Sequence, residues 1–408
     1  MSAFVLCVFC LVYLGMALGR LPGLGLDRAG IALCGAALML AAGALPPESW
    51  TQALDLESLV LLFALMLVAG HFAEARVFDA LAHRLASSQR GPHALLAAVV
   101  ALGGGLSAML VNDIVVFALV PLLVRGCSAR GLDSRPYLLA LALASNAGSA
   151  ASLVGNPQNL LIGEIGELDF LAYSARASVP ALVALILVYV VVARIWRAAL
   201  QAGPATEALP AVQVQPWLLA KSLLAVAGVI LGMVLLDRHR ELAALLVAAL
   251  LLPGRHIDSR ALFRHIDGHL LLLIASLFVV TAAFASLPAT VAVATALQSD
   301  GFGPERLSVL VPLALVGSNT IGNVPLVMLL VQVLGDLGTA TLTALAVFST
   351  LAGNLLLIGS LANIITAERA AACGVRLGFM DFARVGIPVT VGSTALAVGW
   401  FLLLGWYW

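Results

Sequence analysis

Apolar runs of about 20 residues recur along the whole chain, and short segments with charge, Gly or Pro separate them. A helix needs a run of about this length to cross the hydrocarbon core of a bilayer, roughly 20 residues. Of the 408 residues, 62% are apolar and 10% are charged, which is too little charge to cover a soluble protein of this size. The sequence therefore predicts an all-α polytopic membrane protein with the lipid bilayer as a partner. The formal net charge of zero gives no support for a nucleic-acid partner.

Most of these runs are predicted to cross the membrane as single helices. Their limits follow from the apolar pattern: 3–19, 29–45, 57–73, 137–163, 178–194, 217–236, 241–253, 268–285, 341–366 and 386–406. Two further segments, 93–124 and 306–334, have a polar, Gly-containing break at the centre and an apolar arm of about 12 residues on either side. Such an arm is about 18 Å long, a little over half the hydrocarbon thickness. Each segment is therefore predicted to be a re-entrant helical hairpin whose tip lies inside the membrane.

The chain divides into two halves at 201–216, a segment with three prolines and no helical periodicity that is predicted to be a linker. Residues of the two halves match in the same order: Asp27-Arg28 with Asp237-Arg238, Ser107 with Ser318, Asn112 with Asn323, Gly155 with Gly359, and Asn159 with Asn363. An ordered set like this is typical of an internal duplication. We predict two repeats, 1–200 and 217–408, and each has five spans, one hairpin and one broken helix.

The Lys and Arg residues predict how the repeats lie in the membrane. If each hairpin enters and leaves on one side, 17 of the 21 basic residues fall on one face. The positive-inside rule makes that face cytoplasmic. Both termini are then predicted outside the cytoplasm and the linker inside it, in the plasma (inner) membrane. Because five is an odd number of spans, the second repeat is predicted to be inverted relative to the first.

The tip of the first hairpin is predicted at 107–113, and it contains the most informative acid of the chain. Asp113 lies among Leu, Val and Ile residues, far in sequence from any other charge. An ionised carboxylate in such surroundings needs a cation, a proton or a water-filled cavity. Asp113 is therefore a candidate for binding a coupling ion. The alternative is an N-cap for a helix that starts at Ile114, and the two roles are compatible.

The tip of the second hairpin is predicted at 317–323, directly before Val324 and Pro325. Its Ser, Asn and Thr side chains are hard oxygen donors, which suit a small cation or an oxyanion. The alternative is that these residues only cap the next helix and allow a tight turn before Pro325.

The spans 137–163 and 341–366 carry polar residues in the middle and are predicted to be broken. Pro157 removes a backbone donor and disfavours helical geometry at Asn156, so the first break is expected near 154–158. The half-helix that follows would direct its N-terminal amides at the gap, which favours an anion. The second span has no proline, so its break is less strongly predicted. The alternative is close packing of small residues, which does not account for Asn156, Gln158 and Asn159 in a row.

At these motifs the chain resembles the ion transporter superfamily, which includes arsenite permeases, citrate-transporter-like proteins, divalent anion–sodium symporters and sodium/proton antiporters. The resemblance covers nearly the whole chain and rests on Asn112-Asp113 with Pro121, Ser318-Asn319-Thr320, Gly155-Asn156-Pro157-Gln158-Asn159 and Gly359-Ser360-Leu361-Ala362-Asn363. Val111-Asn112-Asp113 departs from the Ser-Asn-Thr of the sodium-coupled dicarboxylate members and is more similar to the arsenite permease branch. The resemblance implies a homodimer with an elevator mechanism, in which hairpins and broken helices form a mobile transport domain and the remaining helices a scaffold.

We predict a secondary-active transporter of an inorganic or small organic anion, coupled to H⁺ or Na⁺, with Na⁺ the only candidate metal and no other cofactor. The residues predicted to bind the substrate are Ser107, Asn112, Asn156, Pro157, Asn159, Ser318, Asn319, Thr320, Asn323, Gly359, Ser360 and Asn363. Those predicted to bind the coupling ion are Asp113, Asn112, Ser145, Asn146, Ser149, Ser318, Asn319, Thr350 and Asn354. No pairing of a nucleophile with a base suggests an enzyme. A sodium/proton antiporter is the alternative and a channel the more distant one.

Overall fold

The computed structural model describes residues 1–19, 23, 25–87, 91–201, 214–236, 238–299, 303–335 and 337–406. Every regular element among these residues is a helix. The helices of the first half are α1 Ser2–Leu18, α2 Arg28–Ala41, α3 Trp50–Ala53, α4 Leu56–Glu74, α5 Val77–Ala86, α6 Pro92–Met109, α7 Asn112–Ala129, α8 Arg135–Ser149, α9 Pro157–Ile165 and α10 Phe170–Ile195.

The helices of the second half follow in a similar order: α11 Pro216–Leu235, α12 Arg240–Leu251, α13 Ser259–Phe263, α14 Gly268–Ala285, α15 Pro288–Ser299, α16 Leu307–Thr320, α17 Asn323–Leu334, α18 Thr339–Ala352, α19 Leu361–Ala372 and α20 Phe379–Leu403. Short 3₁₀ helices lie at Pro47–Ser49 and Leu357–Gly359. Most of the predicted linker, 202–213, lies outside the described residues, as do Arg20, Arg90 and Asp237.

The helices confirm an all-α polytopic membrane protein. Within the described ranges, seven helices are long and apolar enough to cross a membrane, namely α4, α6, α7, α10, α11, α14 and α20. Shorter apolar helices, which include α1, α2 and α16 to α18, lie beside them. Each predicted span corresponds to a helix, and the spans 137–163 and 341–366 each correspond to two helices with a break between them.

The arms of the first hairpin are longer than the sequence predicted. Both α6 and α7 have 18 residues, which is about 27 Å at 1.5 Å per residue. The predicted segment ended at 124, before Arg125, but α7 continues through Arg125 to Ala129. A basic side chain does not end a helix there because its long stem can reach the membrane surface. The second hairpin, with arms of 14 and 12 residues, is close to the predicted length.

The spans predicted at 178–194 and 386–406 begin earlier than expected, because neither charge nor proline ends the helix. α10 starts at Phe170, where the Asp169 carboxylate accepts a hydrogen bond from the backbone of Ala172, and it continues through Pro180. Pro180 has no N–H, so the carbonyl of Arg176 has no partner within the helix. The Trp400 indole Nε1 of α20 donates to this carbonyl at 2.9 Å. Proline is thus tolerated because a neighbouring helix supplies the missing donor.

The packing of the helices is reciprocal between the two halves. α2 packs against α14 while α4 packs against α12, so each contact recurs with the halves exchanged. α7 contacts α19 while α17 contacts α9, and the equivalent helices α10 and α20 contact each other. Reciprocal contacts of this kind are typical of elements related by a two-fold axis. The inversion of the second repeat remains part of the proposal below.

Two groups of helices can be distinguished by their contacts. The scaffold group, defined here as α1, α2, α4, α11, α12 and α14, packs largely within itself. The site group, defined as α6 to α10 and α16 to α20, contains both hairpins and both broken helices. α4 and α14 connect the two groups, since α4 contacts α7 and α9 and α14 contacts α17.

The crossing of α6 and α8 depends on two glycines in direct contact. A Cβ added to Gly148 would collide with the backbone of Gly104, including its carbonyl oxygen. Small residues allow such close approach of helices in membranes. We therefore expect Gly148→Ala to destabilise the protein by about 1–3 kcal/mol, because backbone atoms cannot move aside cheaply. The measurement is the thermal unfolding midpoint of the purified protein in detergent.

Gly105→Ala is the matched control for this prediction. Gly105 lies on the same helix as Gly104, is exposed, and an added Cβ would meet nothing within 4 Å. Ala is favoured over Gly in a helix by about 1 kcal/mol, so this variant should unfold at the same temperature or higher. Equal destabilisation of both variants would contradict the packing argument.

Candidate functional site

The two hairpin tips and the two helix breaks line one cavity of about 570 Å³, called here the central cavity. The first tip contributes Asn112 and Asp113, and the second contributes 321–325. The breaks contribute Pro157 and Gln158 from one half and 358–361 from the other. Six of the residues predicted to bind the substrate or the coupling ion thus line one space, namely Asn112, Asp113, Pro157, Asn323, Gly359 and Ser360.

The first tip is a short extended segment between two helices. α6 ends at Met109, and Leu110 has extended backbone angles before α7 begins at Asn112. The Asn112 backbone N–H donates to the carbonyl of Gly155 at 3.0 Å, which docks the tip on the first helix break. A Cβ on Gly155 would lie 2.7 Å from the carbonyl oxygen of Ser107, so only glycine permits this approach.

Asp113 does not cap a helix, and that alternative is wrong. The helix starts at Asn112 and not at Ile114, and its cap position, Val111, makes no side-chain capping bond. Asp113 lies in the first turn and lines the central cavity. Among the described residues its carboxylate has no hydrogen-bond donor or ion-pair partner, which leaves it available to a ligand in the cavity.

The second tip is tighter than predicted, because most of 317–323 is helical. α16 extends to Thr320, and only Ile321 and Gly322 separate it from α17. The Thr320 hydroxyl donates to the carbonyl of Val316 in its own helix and the residue is exposed, so it does not line the central cavity. The amide of Asn319 instead points inward and donates to the carbonyl of Ala352 at 2.8 Å.

Both long spans are broken, although only one has a proline. α8 ends at Ser149 and α9 begins at Pro157, with the Asn156 side chain accepting a hydrogen bond from the Asn159 backbone at 2.9 Å. The break therefore covers 150–156, somewhat earlier than the predicted 154–158. In the other half α18 ends at Ala352 and α19 begins at Leu361, so the less strongly predicted break is present.

An asparagine after each break satisfies the carbonyls that the break exposes. The Asn159 Nδ2 group donates to the carbonyls of Ser149 and Ser152, both at 3.2 Å. At the equivalent positions of the other half, Asn363 Nδ2 donates to the carbonyls of Gly353 at 2.7 Å and Leu356 at 3.2 Å. An unpaired buried carbonyl is costly, so these asparagines stabilise irregular backbone inside the protein without a proline being essential.

Asn146 at the end of α8 connects the two halves from one side. Its Nδ2 group donates to the side-chain oxygens of Asn354 and Asn363, both at 3.0 Å. Its Oδ1 atom accepts from the Ser360 hydroxyl at 2.9 Å and from Asn112 Nδ2 at 3.2 Å. One buried amide therefore joins the first tip, its own broken helix and the broken helix of the other half.

Thr350 has the equivalent position in the other half and makes the reciprocal connection. Its hydroxyl donates to Asn159 Oδ1 at 2.9 Å. It accepts from Asn156 Nδ2 at 3.1 Å and from Gln158 Nε2 at 3.2 Å. Asn146 and Thr350, which are separated by the same 204 residues as Asn159 and Asn363, thus lie at the centre of a buried polar network that crosses between the halves.

Four buried side-chain oxygens at the tips are left without a hydrogen-bond partner. Within the described part of the chain these are Ser107 Oγ, Asn112 Oδ1, Asn319 Oδ1 and Asn323 Oδ1. An unpaired buried oxygen costs about 1–3 kcal/mol, so it is usually compensated. Oxygens of this kind are hard ligands that suit a small cation. They belong to equivalent hairpin tips, one pair in each half.

Some predicted residues serve the backbone and do not face the cavity. The Ser145 hydroxyl donates to the carbonyl of Ala142 in its own helix, and Asn354 Nδ2 donates to the carbonyl of Leu143. Ser318 is buried and its hydroxyl donates to the carbonyl of Ser349 at 3.4 Å. Ser149 Oγ accepts from Asn156 Nδ2 at 2.9 Å. These contacts position the tips and the breaks.

The charged mouth of the central cavity was not predicted. This vestibule, as it is called here, is lined by Asp27, Arg28, Asp267, His269 and Glu368. With Asp113 the cavity has four carboxylates against one Arg, so its formal charge is negative. The repeated Asp-Arg pair in the sequence was a signal for part of it. Gln158, which also lines the cavity, lies within the polar motif Gly155-Asn156-Pro157-Gln158-Asn159.

Comparison with known proteins identifies relatives over the whole chain. A family model described as citrate transporter matches residues 11–341. A 46 kDa membrane protein of Mycobacterium leprae is 26% identical over 97% of each chain. A silicon efflux transporter of Oryza sativa, LSI3, is 34% identical over 152 residues, which are 37% of this chain and 31% of that one. The YdaH transporter of Alcanivorax borkumensis is similar in fold, with a TM-score of 0.57 at 16% identity over 99% of this chain and 96% of that one.

Proposed function

The chain belongs to the citrate transporter family, within the ion transporter superfamily, and is a membrane transporter and not an enzyme; from this premise we propose that it moves a small anion by secondary active transport. The anion binds in the central cavity between the two hairpin tips. The coupling ion is H⁺ or Na⁺ and binds at the tips themselves.

Convergence of four helix N-termini on the central cavity is the observation that carries this proposal. The first residues of α7, α9 and α17 line the cavity, and so do the N-cap and first residue of α19. The N-terminus of a helix carries roughly half a positive charge and unpaired N–H donors. An anion is stabilised there without a buried Arg.

The acids of the cavity restrict the kind of anion that this proposal allows. Asp27, Asp113, Asp267 and Glu368 repel a multiply charged ligand, and Arg28 offsets only one of them. A small oxyanion of low charge, accompanied by a cation, fits this balance better than a fully ionised tricarboxylate. A relative from Oryza sativa, similar over 152 residues, is named as a silicon efflux transporter, which supports an inorganic substrate over a tricarboxylate.

The unpaired oxygens and Asp113 supply ligands for the coupling ion. Asn319 Oδ1 and Asn323 Oδ1 serve at the second tip, while Ser107 Oγ and Asn112 Oδ1 serve at the first. Asp113 lies next to Asn112 and can take up either a proton or Na⁺. Binding a cation here lowers the negative charge that an entering anion meets, so the two binding events favour each other.

The proposal includes an arrangement in the membrane. The two repeats are inverted, the site group moves against the scaffold group as an elevator, and two copies associate through their scaffolds. The basic residues place Arg28 and Arg369 on the cytoplasmic face. The vestibule then opens to the cytoplasm, so this conformation is the inward-open one.

Counterflow in proteoliposomes tests the proposed function. Protein is reconstituted with an unlabelled anion inside, and uptake of the same labelled anion is measured for a panel of oxyanions, dicarboxylates and citrate. We expect saturable counterflow for a small oxyanion, and accumulation driven by an H⁺ or a Na⁺ gradient. Absence of counterflow for every anion of the panel would contradict the proposal, and uptake that does not saturate would indicate a channel.

A sodium/proton antiporter is the second candidate, and the acids of the cavity favour it. Asp113 together with the vestibule carboxylates could exchange cations without any anion. The distinguishing measurement is a change in internal pH when a Na⁺ gradient is applied in a buffer whose only anion cannot cross the membrane. Exchange under these conditions, without anion counterflow, would establish the antiporter.

A further inference from the structure

Three glutamates from three helices meet at one place that the proposed site does not include. Glu57 lies in the first turn of α4, Glu164 in the last turn of α9 and Glu241 in the first turn of α12. Each offers one carboxylate oxygen, and these three oxygens lie within 4.8 Å of one another. We call this group the glutamate cluster.

The glutamate cluster lies on the face opposite the vestibule. The far end of α4 is on the vestibule side, because Glu74 pairs with His265 at 2.8 Å and His265 is two residues before Asp267 of the vestibule. Glu57 precedes Glu74 by 17 residues in the same helix, which is about 26 Å along its axis. The cluster and the vestibule are thus at the two ends of the transporter.

Part of the cluster is buried without a partner. Glu241 is 6% exposed, and its Oε2 atom has no hydrogen-bond partner among the described residues. The Oε1 atom of Glu164 is also buried and unpartnered. A buried carboxylate oxygen without a hydrogen-bond partner is unfavourable, so a ligand that binds these oxygens is expected.

The neighbouring cations offset only part of the charge of the cluster, although Arg240 lies close enough to act on Glu164. Arg240 donates to the backbone carbonyls of Leu236 and Leu168, both at 2.8 Å, and no described carboxylate lies within salt-bridge distance of it. His239 is 3.5 Å from the Oε1 atom of Glu241, but the His239 side chain is 70% exposed. Asp55 adds a further acid nearby. Four acids, Asp55 included, against one Arg leave an excess of negative charge at the cluster, and the Oε2 atom of Glu241 has no hydrogen-bond partner among the described residues.

The cluster is the counterpart of the vestibule in the other repeat. α2 begins at Arg28 and α12 at Arg240, so the structure makes Arg240 the equivalent of Arg28, and not Arg238 as the sequence match suggested. At the same offset of 212 Glu57 is equivalent to His269, and at an offset of 204 Glu164 is equivalent to Glu368. The equivalents line an open cavity mouth, whereas the members of the cluster are packed together. The cluster thus occupies the closed entrance on the opposite face.

We propose that Glu57, Glu164 and Glu241 form a divalent-cation site that holds this entrance closed. Carboxylate oxygens at these separations are suitable ligands for Ca²⁺ or Mg²⁺. The cation would bridge α4 and α12 of the scaffold group to α9 of the site group. It therefore stabilises the conformation with the vestibule open, because opening the other entrance separates its ligands.

Cation binding to the purified full-length protein tests this inference. After removal of metals with EDTA, the protein in detergent is titrated with CaCl₂ and with MgCl₂, and binding is followed by calorimetry and by the thermal unfolding midpoint. We expect saturable stabilisation by at least one of the two salts, beyond that of NaCl at equal ionic strength. Glu57→Gln and Glu241→Gln should each weaken binding by about tenfold or more.

Glu167→Gln is the matched control. Glu167 is an exposed acid three residues from Glu164 and is not part of the cluster, so its loss should leave the affinity unchanged. Glu57 is also exposed, so Glu57→Gln should fold even if Glu241→Gln does not. No stabilisation of the wild type by either salt, or unchanged affinity in Glu57→Gln, would overturn the inference. If lowered pH stabilises the protein and neither salt does, the cluster binds protons and not a divalent cation, which would also overturn the inference. Since no transport is measured, either outcome is independent of the proposed substrate.

Discussion

Asp113→Asn is expected to abolish accumulation of substrate against its gradient while counterflow continues. Asp113 lines the central cavity, and no described residue pairs with its carboxylate. An amide of the same shape keeps the cavity but cannot take up a proton, and it binds Na⁺ more weakly because it has no charge. We expect gradient-driven accumulation to fall by at least about tenfold, a loss of about 1.4 kcal/mol of coupling.

Accumulation in proteoliposomes with an imposed H⁺ or Na⁺ gradient, compared with counterflow in the same vesicles, measures this effect. Glu368→Gln is the control, because it removes one negative charge from the same cavity at a position far from the tips in sequence. Glu368→Gln should alter the apparent affinity for the anion but leave the dependence of accumulation on the H⁺ or Na⁺ gradient unchanged. If Asp113→Asn retains the pH and Na⁺ dependence of the wild type, Asp113 is not the coupling group.

The positions of the spans were predictable because a segment inside lipid must pair all its backbone groups within one helix. Its side chains must also be apolar over the full thickness of the membrane, and such a run is visible in the sequence. The meeting of the polar motifs was predictable in outline from the matched positions of Asn112 with Asn323 and Asn159 with Asn363. The ends of the helices at the tips were not. Ser318 and Asn319 suggested irregular backbone, yet they are helical, since their side chains bond to carbonyls and leave the helix intact.

The vestibule could not be read from the sequence, because its residues lie at the ends of separate helices. Asp27 and Asp267 are N-caps whose carboxylates accept backbone hydrogen bonds, from Gly30 at 2.8 Å and from Leu270 at 2.9 Å. Each has an ordinary local role that explains its presence. Only the packing of α2 against α14 brings them to one cavity mouth. The second helix break was likewise uncertain, since Asn363 replaces the effect of a proline through bonds that sequence alone does not show.

Asn146→Leu is expected to have the largest effect on stability and to abolish transport. Asn146 is 1% exposed and makes four side-chain hydrogen bonds, two as donor and two as acceptor. Leu has the same number and branching of side-chain heavy atoms but leaves all four partners unpaired. Buried groups without partners cost about 1–3 kcal/mol each, whereas a hydrogen bond within a membrane protein averages about 0.6 kcal/mol, so the total should be about 2–5 kcal/mol. The measurement is the thermal unfolding midpoint, with counterflow in the same preparation.

Thr343→Val separates the loss of the network from the loss of a buried hydroxyl. Thr343 is 1% exposed, and its hydroxyl donates only to the carbonyl of Thr339 in its own helix at 2.7 Å. Its replacement should cost no more than about 1 kcal/mol and leave counterflow intact. An Asn146→Leu protein that unfolds at the wild-type temperature would show that the network does not hold the halves together. If the Asn146→Leu protein is destabilised but still transports, the broken helices keep their positions without the amide that joins them. The network would then stabilise the fold without shaping the cavity.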